Sequence, residues 1–142
     1  MAKSFELKGL KETLGNLERF KVDTLQDLDD ELTATAFQIR AEAVRATPVD
    51  LGNLRQSVDV VNKPFDKNVV ARANYAAYVE FGTGTLVDVP QGLEDYAIQF
   101  KGKNVKQVNL PARPYMFPPF FRNTKELPNR LKKIIEQNGR RK

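Results

Sequence analysis

The apolar positions in the first third of the chain recur at helical spacing. Six of them lie three or four residues apart on one stripe: Leu25, Leu28, Leu32, Ala36, Ile39 and Ala43. The stripe predicts a long helix over about 23–46, with Asp23 or Thr24 as its N-cap. We expect it to end at Thr47, because the residue before a proline avoids the helical region. Three leucines repeat the spacing in a shorter segment before it: Leu10, Leu14 and Leu17.

Shorter segments follow and predict a small antiparallel sheet. Residues 48–55 are rich in turn formers, and residues 57–61 alternate as a strand does. A connection at 63–68 and a return strand at 69–73 complete a hairpin. Residues 75–81 are apolar enough for a third element, either a strand or a short helix.

The second half of the chain predicts a projection and a second helix. Tyr96, Ile98 and Phe100 alternate, which predicts a protruding β-hairpin or long loop at about 84–113. Residues 110–121 place four prolines among four aromatic residues; we expect them to lie extended on the core before a helix that begins at Pro119. That helix should kink or restart at Pro128 and be capped by Gly139, with a basic flexible tail at 138–142. The predicted fold is therefore one α+β domain over 1–142, with a long N-terminal helix and a C-terminal helix packed on a small antiparallel sheet.

Composition narrows the possible chemistry. The chain has no cysteine and no histidine, which excludes disulfides, thiolate nucleophiles, the common zinc sites and the usual proton shuttle near neutral pH. No apolar run approaches the ~18 residues of a membrane span, and the start of the chain lacks the apolar stretch of a signal peptide. We therefore expect no membrane contact and assembly in a cytoplasm.

The net charge of +5 is unevenly distributed. Residues 1–71 carry 10 Lys/Arg and 12 Asp/Glu, whereas residues 72–142 carry 13 and 6. Such asymmetry fits a nucleic-acid surface, subunits that meet through unlike faces, or a solvated basic helix.

Candidate chemical motifs are weak. Asp23, Asp27, Asp29, Asp30 and Glu31 could hold Mg²⁺ or act in hydrolysis, but they spread over more than one helix face, which favours a solvated or channel-facing surface. Gly82-Thr83-Gly84 lacks the lysine of a phosphate loop and the third glycine of a dinucleotide fingerprint. Tyr75, Tyr78 and Phe81 could stack on bases, although their alanine-rich setting favours packing. We expect no cofactor and no enzymatic activity.

Three segments in order carry a family resemblance. They are residues 46–57 (ATPVDLGNLRQS), 75–83 (YAAYVEFGT) and 111–118 (PARPYMFP). This series resembles the neck and tail-completion proteins of long-tailed bacteriophages, also described as head–tail joining proteins or minor tail components. The similarity spans about residues 5 to 137. Leu51 and Tyr115 depart from the usual Thr and Phe but keep the character of their sites.

The resemblance implies a structural virion protein of the phage neck. It implies a ring of six or twelve copies that joins the head connector to the tail and lets DNA pass through its lumen. The implied partners are connector or head-closure proteins, tail tube or tail terminator proteins and, transiently and without specificity, the viral DNA. Assembly would occur in the host bacterial cytoplasm. A basic nucleic-acid-binding module is the alternative, and a hydrolase dependent on Asp29, Asp30 or Glu31 is a third possibility.

A ring requires heterologous interfaces, in which one patch meets a different patch on the neighbour. Buried aromatic and arginine anchors dominate such contacts. The hypothesis places eight residues at subunit interfaces: Tyr75, Tyr78, Phe81, Tyr96, Phe100, Arg113, Tyr115 and Phe117. It places three acidic residues toward the lumen, where like charge would repel DNA: Asp27, Asp30 and Glu31.

Overall fold

The computed structural model of this chain describes residues 10–83, 91–93 and 110–140. The elements in chain order are α1 (Leu10–Ala46), α2 (Gly52–Ser57), β1 (Val58–Lys63), β2 (Asp66–Ala71), α3 (Ala76–Phe81), α4 (Phe117–Thr124) and α5 (Leu127–Arg140). The α+β class is confirmed, with a long N-terminal helix, a C-terminal helix and a two-stranded antiparallel sheet. Most of the predicted projection at 84–113 lies outside the described residues.

The first helix is longer than the sequence pattern predicts. It is one continuous helix of 37 residues, about 55 Å long. The predicted start at Asp23 or Thr24 is wrong, because Leu14 and Leu17 continue the apolar stripe in phase and no proline interrupts it. The predicted end is right: the Thr47 backbone N–H and hydroxyl both donate to the Ala43 carbonyl, at 2.9 and 2.8 Å.

The two strands form a tight hairpin docked on α1. Val58 pairs with Ala71 and Lys63 with Asp66, so the return strand starts three residues earlier than predicted. Phe65 in the turn has a φ of 58°, which is uncommon for a residue with a side chain. Its backbone N–H donates to the Asp29 carboxylate at 2.8 Å, and this anchor on α1 stabilises the turn.

The core lies at the C-terminal end of α1. Ala43, Leu54, Val58 and Tyr115 form a buried cluster there. The residues around it come from α2, the hairpin, α3 and the extended segment before α4. Segments that are far apart in the sequence, from residue 43 to residue 116, therefore meet at this core.

The last two helices run back along α1. Arg122 of α4 pairs with Glu42 at 2.7 Å, and Arg130 of α5 pairs with Glu31 at 2.7 Å. Farther along, the Asn138 amide donates to Thr24 at 3.2 Å. The contacts move toward the start of α1 as the chain proceeds, so α5 is antiparallel to α1 and ends beside Thr24.

The start of α4 and the break after it follow from prolines. The segment before α4 is extended, as predicted, and the helix begins at Phe117 with prolines in its first turn, where a missing N–H is tolerated. The predicted restart near Pro128 is confirmed, since α5 begins at Leu127. Gly139 is not a cap, because the helix continues to Arg140. Asn138 is buried, so residues 138–140 belong to the helix and not to a tail.

Candidate interaction site

The three segments of the family resemblance meet in space. The segment leading into α4 runs beside α3, where the Arg113 N–H donates to the Val79 carbonyl at 2.8 Å. The Thr83 N–H donates to the Leu110 carbonyl and the Leu110 N–H donates to the Thr83 hydroxyl, both at 2.9 Å. The loop after α1 closes the third side, with Asp50 3.5 Å from the Arg113 guanidinium.

A buried carboxylate joins the second and third segments. Glu80 is 4% exposed and accepts hydrogen bonds from the backbone N–H groups of Tyr115, Met116 and Phe117 at 2.8, 2.9 and 3.1 Å. These groups stand at the start of α4, where amides have no partner within the helix and the helix dipole favours negative charge. Glu80 therefore holds α4 to α3.

Tyr115 lies directly beneath this contact. It is 1% exposed, and its hydroxyl donates to the Ala76 carbonyl at 3.3 Å. Burial, the neighbouring Glu80 charge and Tyr75 raise the pKa of Tyr115 above its usual range. A neutral phenol is therefore part of the core.

An apolar pocket opens on the outer side of this junction. Its volume is about 350 Å³. The lining draws on all three segments: Leu51, Tyr75, Tyr78, Val79, Leu110, Pro111 and Arg113. Tyr78 and Leu110 are about half exposed, and the Arg113 guanidinium lies at the rim. An apolar concavity with an aromatic wall and an arginine at its edge has the composition of a protein-binding hot spot.

The structure separates the predicted interface residues into three groups. Tyr75, Tyr78 and Arg113 line the pocket together. Phe81 and Tyr115 are each 1% exposed, so in this conformation they support the pocket from inside. Phe117 is partly buried and stacks between Phe81 and Phe121, with ring centroids 5.6 and 6.0 Å apart. Tyr96 and Phe100 lie outside the described residues.

The acidic residues of α1 face different neighbours. The Asn138 amide donates to Asp27 at 2.8 Å, Glu31 pairs with Arg130, and Asp30 is exposed and accepts from Gln26 at 2.9 Å. Around the helix, Asp29 binds the hairpin through Phe65 and through Lys67 at 2.9 Å.

Those contacts favour a structural role over catalysis. The hydrogen bond from the Phe65 backbone, followed by that from Lys67, lowers the pKa of Asp29. Asp27, Asp30 and Glu31 do border one shallow cavity of about 360 Å³. Within the described part of the chain, however, no three acidic side chains converge as a metal site requires.

Two carboxylates that hold helices of the fold together were not singled out from the sequence. Glu80 is one, and its signal was a lone charge within an otherwise apolar segment. Glu42 is the other. It accepts from Gln38, Arg122 and Asn123 at 2.8, 2.7 and 2.9 Å, and the bonds from Gln38 and Arg122 lower its pKa to about 2.

Fold and site together define a small α+β protein with an exposed apolar pocket where three distant segments of the chain meet. A family model matches residues 11–82, about half of the chain. The chain belongs to the HK97-gp10-like family, described as "Bacteriophage HK97-gp10, putative tail-component". No curated protein and no solved structure was found to match.

The family makes this chain a structural protein of a bacteriophage, placed in the virion with other virion proteins as its partners. The match runs from α1 through α3 and so covers the first two segments of the resemblance. None of the helices described here is long and apolar enough to cross a membrane.

Proposed function

We propose that this protein forms a ring in the phage neck that joins the head connector to the tail. The ring would contain six or twelve copies, and DNA would pass through its lumen. The whole chain would act as one head–tail joining domain. Its neighbours would be connector or head-closure proteins on one side and tail tube or tail terminator proteins on the other.

One observation carries the proposal. All three segments of the resemblance converge on one exposed apolar pocket, and within the described residues they bring together no metal cluster. Segments that are far apart in sequence meet at the core and also frame this exposed pocket, and such a surface is suited to binding a protein. The pocket is the proposed subunit interface.

The physical roles within the pocket differ. Tyr78 offers a large rigid ring that is 46% exposed, and tyrosine loses little conformational entropy on binding. The backbone of Arg113 is hydrogen-bonded to α3. Its side chain can therefore form an ion pair either with Asp50, as it does here, or with a carboxylate of the neighbouring subunit. Glu80 and Tyr115 hold the surface in shape.

Of the three acidic residues that the hypothesis places toward the lumen, Asp30 is the one that we retain. Asp27 and Glu31 bind α5 within the same chain, whereas Asp30 is exposed and forms its side-chain hydrogen bond with Gln26 of its own helix. Under the proposal, Asp30→Lys leaves assembly intact and slows DNA passage, because an attractive charge in the lumen binds phosphate. Normal DNA ejection kinetics in that mutant would contradict a position of Asp30 in the lumen.

The direct test replaces Tyr78 with Ala in the phage gene, alone and together with Arg113→Ala. We expect full heads and unattached tails in negative-stain images, because truncating an aromatic anchor costs a contact about 2 kcal/mol or more. Phe37→Ala is the matched control, since Phe37 is equally exposed (48%) but lies on α1 away from the pocket. Joined particles with both pocket variants would contradict the proposal.

A basic nucleic-acid-binding module is the second candidate. The observation that favours it is the charge of residues 117–140, from the start of α4 to the end of α5, which carry six Lys/Arg and two Asp/Glu. It predicts affinity of the purified protein for duplex DNA that falls steeply as salt rises. Replacing the exposed pair Lys132 and Lys133 with Gln would then reduce both the affinity and its salt dependence.

A further inference from the structure

The first turns of α1 project beyond the rest of the described chain. Because α5 ends beside Thr24, every residue from 11 to 23 is exposed. Residues 10–23, here called the free end, make about 20 Å of helix. Leu14 and Leu17 are each 57% exposed and lie in phase with the core stripe that begins at Leu28.

The apolar stripe on the free end is exposed and packs against no other part of the described chain. Apolar residues gathered on one face of a helix mark the face that packs against another element. The family match also begins at residue 11, so the free end lies inside the region shared with the family.

A groove elsewhere on the same chain has the complementary shape. It lies between α1, β2 and α4, with a volume of about 440 Å³. Eight of its twelve lining residues are apolar, among them Leu32, Ile39, Val69, Phe117, Phe120 and Leu127. Phe120 is 42% exposed and forms one edge of the groove.

A chain cannot fill its own groove with its own free end. Leu17 and Ile39 are 22 residues apart on one continuous helix, which separates them by about 33 Å. The stripe and the groove therefore meet only between two copies. Because they are different patches, the contact is heterologous and extends from copy to copy until it closes.

Charge supports the same pairing. Helix α1 carries eight Asp/Glu and five Lys/Arg, whereas residues 117–140, from the start of α4 to the end of α5, carry two Asp/Glu and six Lys/Arg. On the free end, Glu18 follows Leu17 and is exposed; at the groove, Lys125 follows Thr124 of the lining and is also exposed. An ion pair at that rim would set the direction of docking.

We propose that the free end of α1 docks in the groove of a neighbouring copy, with Leu14 and Leu17 inserted beside Phe120. This inference rests on the proposed ring and adds the second face of its subunit contact.

The test uses the absence of cysteine from the natural chain. Phage carrying both Leu17→Cys and Phe120→Cys are treated with a short bis-maleimide linker, and the protein is analysed on denaturing gels. We expect a ladder up to the full ring. Thr124→Cys replaces Phe120→Cys in a second version that leaves the aromatic side chain in place.

The matched control is Arg19→Cys with Phe120→Cys. Arg19 is exposed and two residues from Leu17, but it lies on the opposite side of the helix, so this pair should give no ladder. A charge exchange is a second check: Glu18→Lys should reduce joined particles several-fold, and adding Lys125→Glu should restore them.

The outcomes are distinct. If the protein is present in joined particles and neither groove cysteine links to Leu17→Cys, the inference is wrong and the neck function stands. Dimers from Leu17→Cys alone would show that free ends pair with each other, which also overturns it. If the protein is missing from joined particles, the proposed function itself fails.

Discussion

Replacing Glu80 tests whether one buried carboxylate holds the interaction site together. Glu80→Ala removes the acceptor of three backbone hydrogen bonds at the start of α4. A hydrogen bond to a charged group contributes roughly 1.5–3 kcal/mol, which sets an upper range of about 4.5–9 kcal/mol for three. Water can reach the part-buried Met116 and Phe117 once the side chain is gone, so we expect a loss of about 3–5 kcal/mol.

Such a loss is large for this chain. Domains of ordinary size unfold at a cost of about 5–15 kcal/mol, so the variant should be close to unfolding at physiological temperature. Glu80→Gln keeps the shape but aims an N–H₂ group at one of the backbone donors, and we expect it to lose about 1–2 kcal/mol. Glu136→Ala, on the exposed side of α5, is the control and should change stability by less than about 0.5 kcal/mol.

The assay is urea denaturation followed by far-ultraviolet circular dichroism, with amide hydrogen exchange read at residues 115–117. The exchange measurement separates loss of the Glu80 contact from general destabilisation, because these three amides should lose protection first in Glu80→Gln. A Glu80→Ala protein with the stability of Glu136→Ala and unchanged exchange at 115–117 would refute the role assigned to Glu80.

Three other predictions concern pH and packing. Since the folded pKa of Glu42 is lowered to about 2, its contribution to stability is present above the ordinary carboxyl pKa and lost as pH falls from about 5 toward 2; unfolding midpoints of Glu42→Gln should lack this part of the acid dependence. Because the folded pKa of Tyr115 is raised, stability should fall as pH rises above about 10, and Tyr115→Phe should flatten that loss in the same titration. Leu54→Ala, at a fully buried position, should cost about 2–5 kcal/mol by urea denaturation; a smaller cost would show that the core near α2 can collapse.

The helices were predictable because their signal is repeated. The stripe of α1 recurs over many turns, so its existence followed from spacing alone, and its end at Thr47 followed from Pro48. Its start did not, because an N-cap contributes only about 1 kcal/mol and a stripe continued by Leu14 and Leu17 overrides it. Asp23 and Thr24 can also lie inside a helix, and no helix-breaking residue directly precedes them to make the helix start there.

The site was only partly predictable, because its contacts are long-range. Glu80 binds amides 35 to 37 residues away, and Glu31 binds Arg130 across 99 residues. Backbone N–H groups leave no pattern in the sequence that points to a partner. Aromatic content identified the right segments, but which ring faces inward depends on packing, so Phe81 and Tyr115 could not be told apart from Tyr78.

The balance of buried and exposed apolar residues explains why so small a core suffices. Among the described residues, seven hydrophobic side chains are buried, whereas thirteen large ones are exposed. A two-stranded hairpin is itself marginal without further packing. In the proposed assembly, neighbouring copies cover the pocket, the groove and the free end, and by mass action the stability gained from those contacts appears only when neighbours are present. Under that proposal, assembly stabilises the fold of each copy and couples correct folding to incorporation in the particle.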